Sequence, residues 1–84
     1  MPSPEVIEKV RQLRAELASA RPASPEAERL AQQIDALLAD PEQAQHYEGL
    51  GERLRSAAAG LEAEHPQLAA AMTTVLNALS AAGV

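Results

Sequence analysis

The chain has 84 residues, enough for one domain, and it contains no cysteine, phenylalanine or tryptophan. Its formal net charge of −5, from 7 basic and 12 acidic residues, opposes binding to nucleic acid or to an anionic membrane. The absence of cysteine excludes a disulfide framework, a thiolate metal site and a cysteine nucleophile. It also fits a reducing compartment. With no targeting segment visible, we expect the protein to be cytoplasmic.

One helix-start signal occurs three times, at Ser3-Pro4-Glu5, Ser24-Pro25-Glu26 and Asp40-Pro41-Glu42. The Ser or Asp side chain can accept hydrogen bonds from first-turn amides, and proline is tolerated at the first helical position. The glutamate then interacts favourably with the positive end of the helix dipole. His65-Pro66-Gln67 is a weaker fourth copy. The signals therefore predict an all-α protein with three to four helices over residues 1–84.

The first two predicted helices run over about residues 4–20 and 25–39. Both carry apolar residues at helical spacing, and the first stripe is Val6, Val10, Leu13 and Leu17. The connection between the two helices is short, so the second should return antiparallel to the first.

The third helix is predicted over about residues 46–64, after a short turn, because Gly49 and Gly51 weaken a helix interior. Pro66 then breaks or sharply kinks the chain at His65, and the spacing leaves both possibilities open. The last helix is predicted over about residues 66–82, with Gly83 as a left-handed C-terminal cap.

Residues 65–84 carry no Asp, Glu, Lys or Arg. A helix with so little polar surface is normally buried. It is either the central element of one bundle, or it packs one face within the chain and the other against a second copy. It is too short and too rich in hydroxyl groups for a membrane span, so no membrane partner is expected.

The apolar content predicts a core with few bulky side chains, because 19 of the hydrophobic residues are alanine. Small chains with few bulky apolar side chains often gain stability by associating with a second copy. We therefore expect a homo-oligomer with shallow, coiled-coil-like helix packing. The predicted association face consists of Leu54, Leu61, Leu68, Met72, Val75, Leu76 and Leu79.

Candidate chemical groups are few. His46 and His65 fall on no metal-ligand spacing, and His65 is better explained as a helix-start residue with Glu62 as a possible partner. Pairs of glutamates such as Glu48 and Glu52 fit solvated helix faces, since acid–base catalysis needs a recessed site. The sequence therefore predicts no catalytic residue, no metal ligand, no bound cofactor and no enzyme activity.

The C-terminal half resembles a family of short bacterial proteins, the uncharacterised domain-of-unknown-function family 4404. The resemblance rests on the run Leu61–Ala69, with its Glu-x-x-His-Pro signature at Glu62–Pro66, and on the ending Leu76–Val84. Leu61 stands where members often have phenylalanine, and the ending Ala82-Gly83-Val84 replaces a Met-Gly-Ile-like one. The resemblance implies a small helical protein and supplies no activity, substrate or cofactor.

These observations predict a non-catalytic helical protein that acts through self-association or another protein interaction. The alternative is an adaptor that binds a helix of an unknown partner protein in a groove. The smooth surface of Ala57–Gly60 and the C-terminal helix would form that groove.

Overall fold

The computed structural model describes residues 3–83, which form four α-helices and no β-strand. The helices are α1 (Pro4–Ala20), α2 (Pro25–Ala39), α3 (Leu50–Leu61) and α4 (Pro66–Ala82). A short 3-10 helix, Ala44–Tyr47, lies between α2 and α3. Met1, Pro2 and Val84, which the sequence analysis includes in the domain, lie outside the described residues.

Three of the four proline signals start α-helices as predicted. The signal Asp40-Pro41-Glu42 does not, because the Gln43 amide donates to the Asp40 carbonyl at 3.3 Å and closes a turn, and the 3-10 helix begins only at Ala44. The Ser3 hydroxyl accepts a hydrogen bond from the Val6 amide at 3.3 Å, and the Ser24 hydroxyl accepts one from the Ala27 amide at 3.2 Å. A proline then occupies the first helical position of α1, α2 and α4. Gly83 caps α4 in the left-handed conformation that the sequence predicted.

The prediction for the third helix was too long at both ends. Residues 46 and 47 belong to the 3-10 helix, and Gly49 adopts a left-handed φ of 70° that interrupts helical geometry before Leu50. At the other end, residues 62–64 form a turn and His65 leaves the helical region before Pro66. The chain therefore turns between two separate helices at this proline.

The four helices form an antiparallel bundle in which each helix contacts two neighbours. Helix α4 makes its most extensive contacts with α3 and α1, and α2 closes the square by contacting the same two helices. Within residues 3–83, the diagonal pairs α1 with α3 and α2 with α4 do not approach each other. The short connections over residues 21–24 and 62–65 are those expected between antiparallel neighbours.

The core is apolar throughout and is shared by all four helices. Seventeen hydrophobic side chains are buried between them, and no polar or charged residue of the described chain is buried. The stripes predicted for α1, α2 and α4 provide most of this core. Between residues 3 and 83, no helix combines the length and hydropathy needed to cross a membrane.

Candidate association surface

The structure places the predicted association face mainly inside the chain's own core. Six of its seven residues are buried: Leu54, Leu61, Leu68, Met72, Val75 and Leu79. Only Leu76 is partly exposed, and its Cδ1 lies 3.4 Å from the position that a Cβ on Gly51 would take. The apolar spacing in α4 therefore marks the side that α1 and α3 cover, and the opposite side is exposed.

We define the outer face of α4 as a row of five of its exposed residues that runs along the side opposite the core. They recur at spacings of three and four residues and are Gln67, Ala70, Thr74, Asn77 and Ala81. None is charged, whereas the charged side chains of this acidic chain all lie in residues 1–64. Spacing of this kind forms one straight seam along a helix, which is the geometry of coiled-coil contacts.

Hydroxyl groups on this side of α4 are already paired within the helix. The Thr74 hydroxyl donates to the Ala70 carbonyl at 3.0 Å, and the Thr73 hydroxyl donates to the Ala69 carbonyl at 3.2 Å. Each threonine therefore keeps its hydroxyl donor satisfied when water is removed from the surface. A buried donor without a partner would cost about 1–3 kcal/mol, so this pairing lowers the free-energy cost of covering the face.

Charged residues border the outer face on both sides. Lys9 of α1 lines an open groove of about 600 Å³ beside Thr74 and Asn77. Glu16, seven residues further along α1, lines the same side beside Gln67. Residues seven apart lie on one face of a helix, so both side chains point along this border.

The border formed by α3 also contains both signs of charge. Glu52 and Arg55 line the groove between α3 and the C-terminal half of α4, together with Leu76 and Ser80. Their side chains form an exposed ion pair with a separation of 3.6 Å. The uncharged seam is thus flanked by a mixed-charge rim on each side.

The run Ala57–Gly60, predicted to form part of the alternative groove, is only partly exposed to solvent. Ala57 is buried in the core and Ala58 is half-buried, so they support the bundle from within. Ala59 and Gly60 are exposed. The smooth run predicted from sequence therefore divides between core and surface.

The two histidines lie outside the α-helices. His65 precedes α4 at its N-cap position and makes no capping hydrogen bond through its side chain. His46 belongs to the 3-10 helix, where its backbone carbonyl accepts a hydrogen bond from Gln33. In the part of the chain that the structure describes, no three His, Asp or Glu residues come together as a metal site would require.

Gln33 has a structural role that the sequence analysis missed. Its Nε2 donates to the carbonyls of His46 and Glu48 at 2.9 and 3.1 Å, and its Oε1 accepts from Arg53 at 2.7 Å. The side chain thus connects α2, the 3-10 helix and α3. Its place on the polar side of an amphipathic helix carried no signal of these contacts.

Comparisons with known proteins identify one family. A family model described as a domain of unknown function (DUF4404) matches residues 6–84. No curated protein and no solved structure matches the chain.

Proposed function

The chain belongs to the DUF4404 family, whose description names no activity, and we propose from its surface that it is a non-catalytic protein that acts by associating with itself. The observation that carries the proposal is the exposed, uncharged outer face of α4 in a chain of net charge −5. Two acidic copies repel each other least where both surfaces are uncharged.

The buried core of the single chain indicates which species associate. Because the bulky side chains of α4 are covered by α1 and α3, a second copy is not required to bury them. Association therefore takes place between folded bundles, and a folded monomer exists at sufficiently low concentration. We expect a reversible dimer whose stability depends on protein concentration.

The alternative, an adaptor that holds a partner's helix in a groove, has less support. An apolar helix in a groove needs an apolar floor, whereas the groove beside Lys9 also contains Glu5, Thr74 and Asn77. The groove beside Gly51 contains the charged pair Glu52 and Arg55. Polar and charged linings of this kind are typical of the rim of a protein–protein interface and not of a groove that binds an apolar helix.

Light scattering coupled to size-exclusion chromatography tests the proposal directly. One chain has a mass of 8.9 kDa, and we expect the measured mass to rise from that value toward twice it as protein concentration increases. Circular dichroism on the same samples confirms that helical content stays constant. A folded protein with the mass of one chain up to the highest soluble concentration would contradict self-association.

A further inference from the structure

We propose that a second copy of this chain packs on the outer face of α4 with its own α4 antiparallel, about a two-fold axis at Thr74. This inference rests on the proposed self-association and adds the surface and the orientation to it. In this arrangement, Lys9 of each copy meets Glu16 of the other, and Glu52 of each meets Arg55 of the other.

The spacing of the outer face is symmetric about Thr74. Gln67 and Ala81 each lie seven residues from it, and Ala70 and Asn77 lie four and three residues away on opposite sides. An antiparallel two-fold pairing therefore places Thr74 against Thr74, Gln67 against Ala81, and Ala70 against Asn77. A two-fold interface requires this kind of self-complementary surface, because each contact occurs twice with the partners exchanged.

The border on α1 carries Glu5, Lys9 and Glu16, and the last two are related by the same symmetry. Helix α1 runs antiparallel to α4, so its middle residue, Gln12, lies beside the middle of α4. Lys9 precedes Gln12 by three residues and Glu16 follows it by four. The two-fold operation therefore brings a cation of one copy to an anion of the other on this border, twice in each dimer.

The border on α3 repeats the pattern. Gly51 lies beside Leu76, and α3 is antiparallel to α4, so the midpoint between Glu52 and Arg55 lies close to the level of Thr74. The two-fold operation then places Glu52 of each copy opposite Arg55 of the other. Opposite charges across an interface favour the correct register and disfavour others.

A parallel pairing matches fewer of these charges. It would place α1 of one copy over α3 of the other, because these helices lie on opposite sides of α4. Glu16 lies beside the N-terminal half of α4, as does the C-terminal end of α3, where Ala58, Ala59 and Gly60 are found. Lys9 and Glu52 lie at similar heights along α4 and would face each other, but Glu16 would face alanine and glycine with no cation. The antiparallel orientation therefore matches more of the rim charges.

Cysteine cross-linking tests the orientation, because the natural chain contains no cysteine. The variants Thr74→Cys, Ala81→Cys and Gln67→Cys each place a single thiol on the outer face, and Gln32→Cys places one on the exposed side of α2. Each variant is treated with a mild oxidant at a concentration at which light scattering detects the dimer. Covalent dimers are then quantified on a non-reducing gel.

The antiparallel arrangement predicts a distinct pattern of products. Thr74→Cys should cross-link with itself, Ala81→Cys alone should not, and a mixture of Ala81→Cys with Gln67→Cys should. Efficient self-cross-linking of Ala81→Cys would indicate a parallel dimer and overturn the orientation. Cross-linking through Gln32→Cys alone would overturn the surface while leaving self-association intact. A monomer by light scattering would instead overturn the proposed function on which the inference rests.

A charge variant provides a second readout that does not depend on thiol geometry. Asn77→Glu places two carboxylates near the axis, one from each copy, and we expect the dimer dissociation constant to rise at least tenfold. Gln32→Glu adds the same charge on α2 and serves as the matched control. Both positions are exposed, so helical content should not change. Equal effects of the two variants would contradict the outer face as the interface.

Discussion

Arg14 of α1 binds Asp35 of α2 through two parallel hydrogen bonds. Its Nε donates to Oδ1 at 2.6 Å and its Nη2 donates to Oδ2 at 3.2 Å. The hydrogen bond to Asp35 raises the pKa of Arg14, partial burial acts in the opposite direction, and the charge of Asp35 adds a smaller increase. Among residues 3–83, this is the one ion pair that joins two helices.

The pair should contribute modestly to stability. The Asp35 side chain is 56% exposed and that of Arg14 is 33% exposed, so water screens their attraction. In a double-mutant cycle with Arg14→Gln and Asp35→Asn, we expect a coupling free energy below about 1 kcal/mol that decreases with added salt. Urea unfolding of the four proteins measures it. A coupling of several kcal/mol that is insensitive to salt would contradict this interpretation.

Gln33 should matter more than its half-buried setting suggests, because it satisfies two backbone carbonyls at once. We expect Gln33→Ala to lower the free energy of unfolding by about 1–2 kcal/mol, since each lost hydrogen bond contributes about 0.5–1.5 kcal/mol. Hydrogen exchange should accelerate selectively in residues 44–49, which Gln33 holds against α2.

Gln33→Glu is the matched control for this prediction. A glutamate still accepts the hydrogen bond from Arg53, but it places a second oxygen where Nε2 donates to the carbonyls of His46 and Glu48. We expect the same fast exchange in this segment as in Gln33→Ala. Normal exchange in the glutamate variant would show that the contact with Arg53 alone holds the segment.

Tyr47 makes stability fall in strongly alkaline solution. Burial raises its pKa above the ordinary value of 10.0, and the charge of Glu42 raises it further. Above pH 10.0 the unfolded chain releases the phenolic proton before the folded chain does, so unfolding becomes easier as pH rises. Below that pH both states keep the proton and the contribution to stability is constant.

Because Tyr47 is the only tyrosine, ultraviolet absorbance of the phenolate reports its titration directly in the folded protein. We expect the pH at the midpoint of this titration to be higher in the folded protein than in the urea-unfolded chain. Tyr47→Phe should lower the free energy of unfolding by about 1 kcal/mol near neutral pH, because the tyrosine hydroxyl donates a hydrogen bond to the Pro41 carbonyl at 2.8 Å. It should also show a flatter decline of stability above pH 10.0. Identical folded and unfolded midpoints would contradict this prediction.

Local chemistry made three of the helices predictable. The serine–proline–glutamate signals and the apolar spacing act within a few residues, and they set the limits of α1 and α2. The same spacing identified the buried side of α4. It could not show whether that side is covered by helices of the same chain or by a second copy, because apolar periodicity indicates only that a face is covered.

The segment before α3 was less predictable because its conformation depends on contacts across the bundle. Gln33 fixes the 3-10 helix and the residue after it from 13 and 15 residues away in sequence, through hydrogen bonds to backbone carbonyls that no side-chain pattern reveals. The rim charges around α4 are similar, since Lys9 and Arg55 become neighbours of one surface only after α1 and α3 have packed. Such features depend on tertiary structure and not on local spacing.

Two glycines of the α3 region should respond oppositely to alanine. Gly60 lies inside α3 with open space around the position of an added Cβ, so Gly60→Ala should raise the free energy of unfolding by about 0.5–1 kcal/mol. Gly49 also has open space, but its φ of 70° is unfavourable for alanine, so Gly49→Ala should lower it by about 1–2 kcal/mol. Because neither added methyl group meets another atom within 4 Å, the contrast isolates the backbone conformation. Urea unfolding of both variants measures it, and a stabilised Gly49→Ala would contradict the left-handed start of α3.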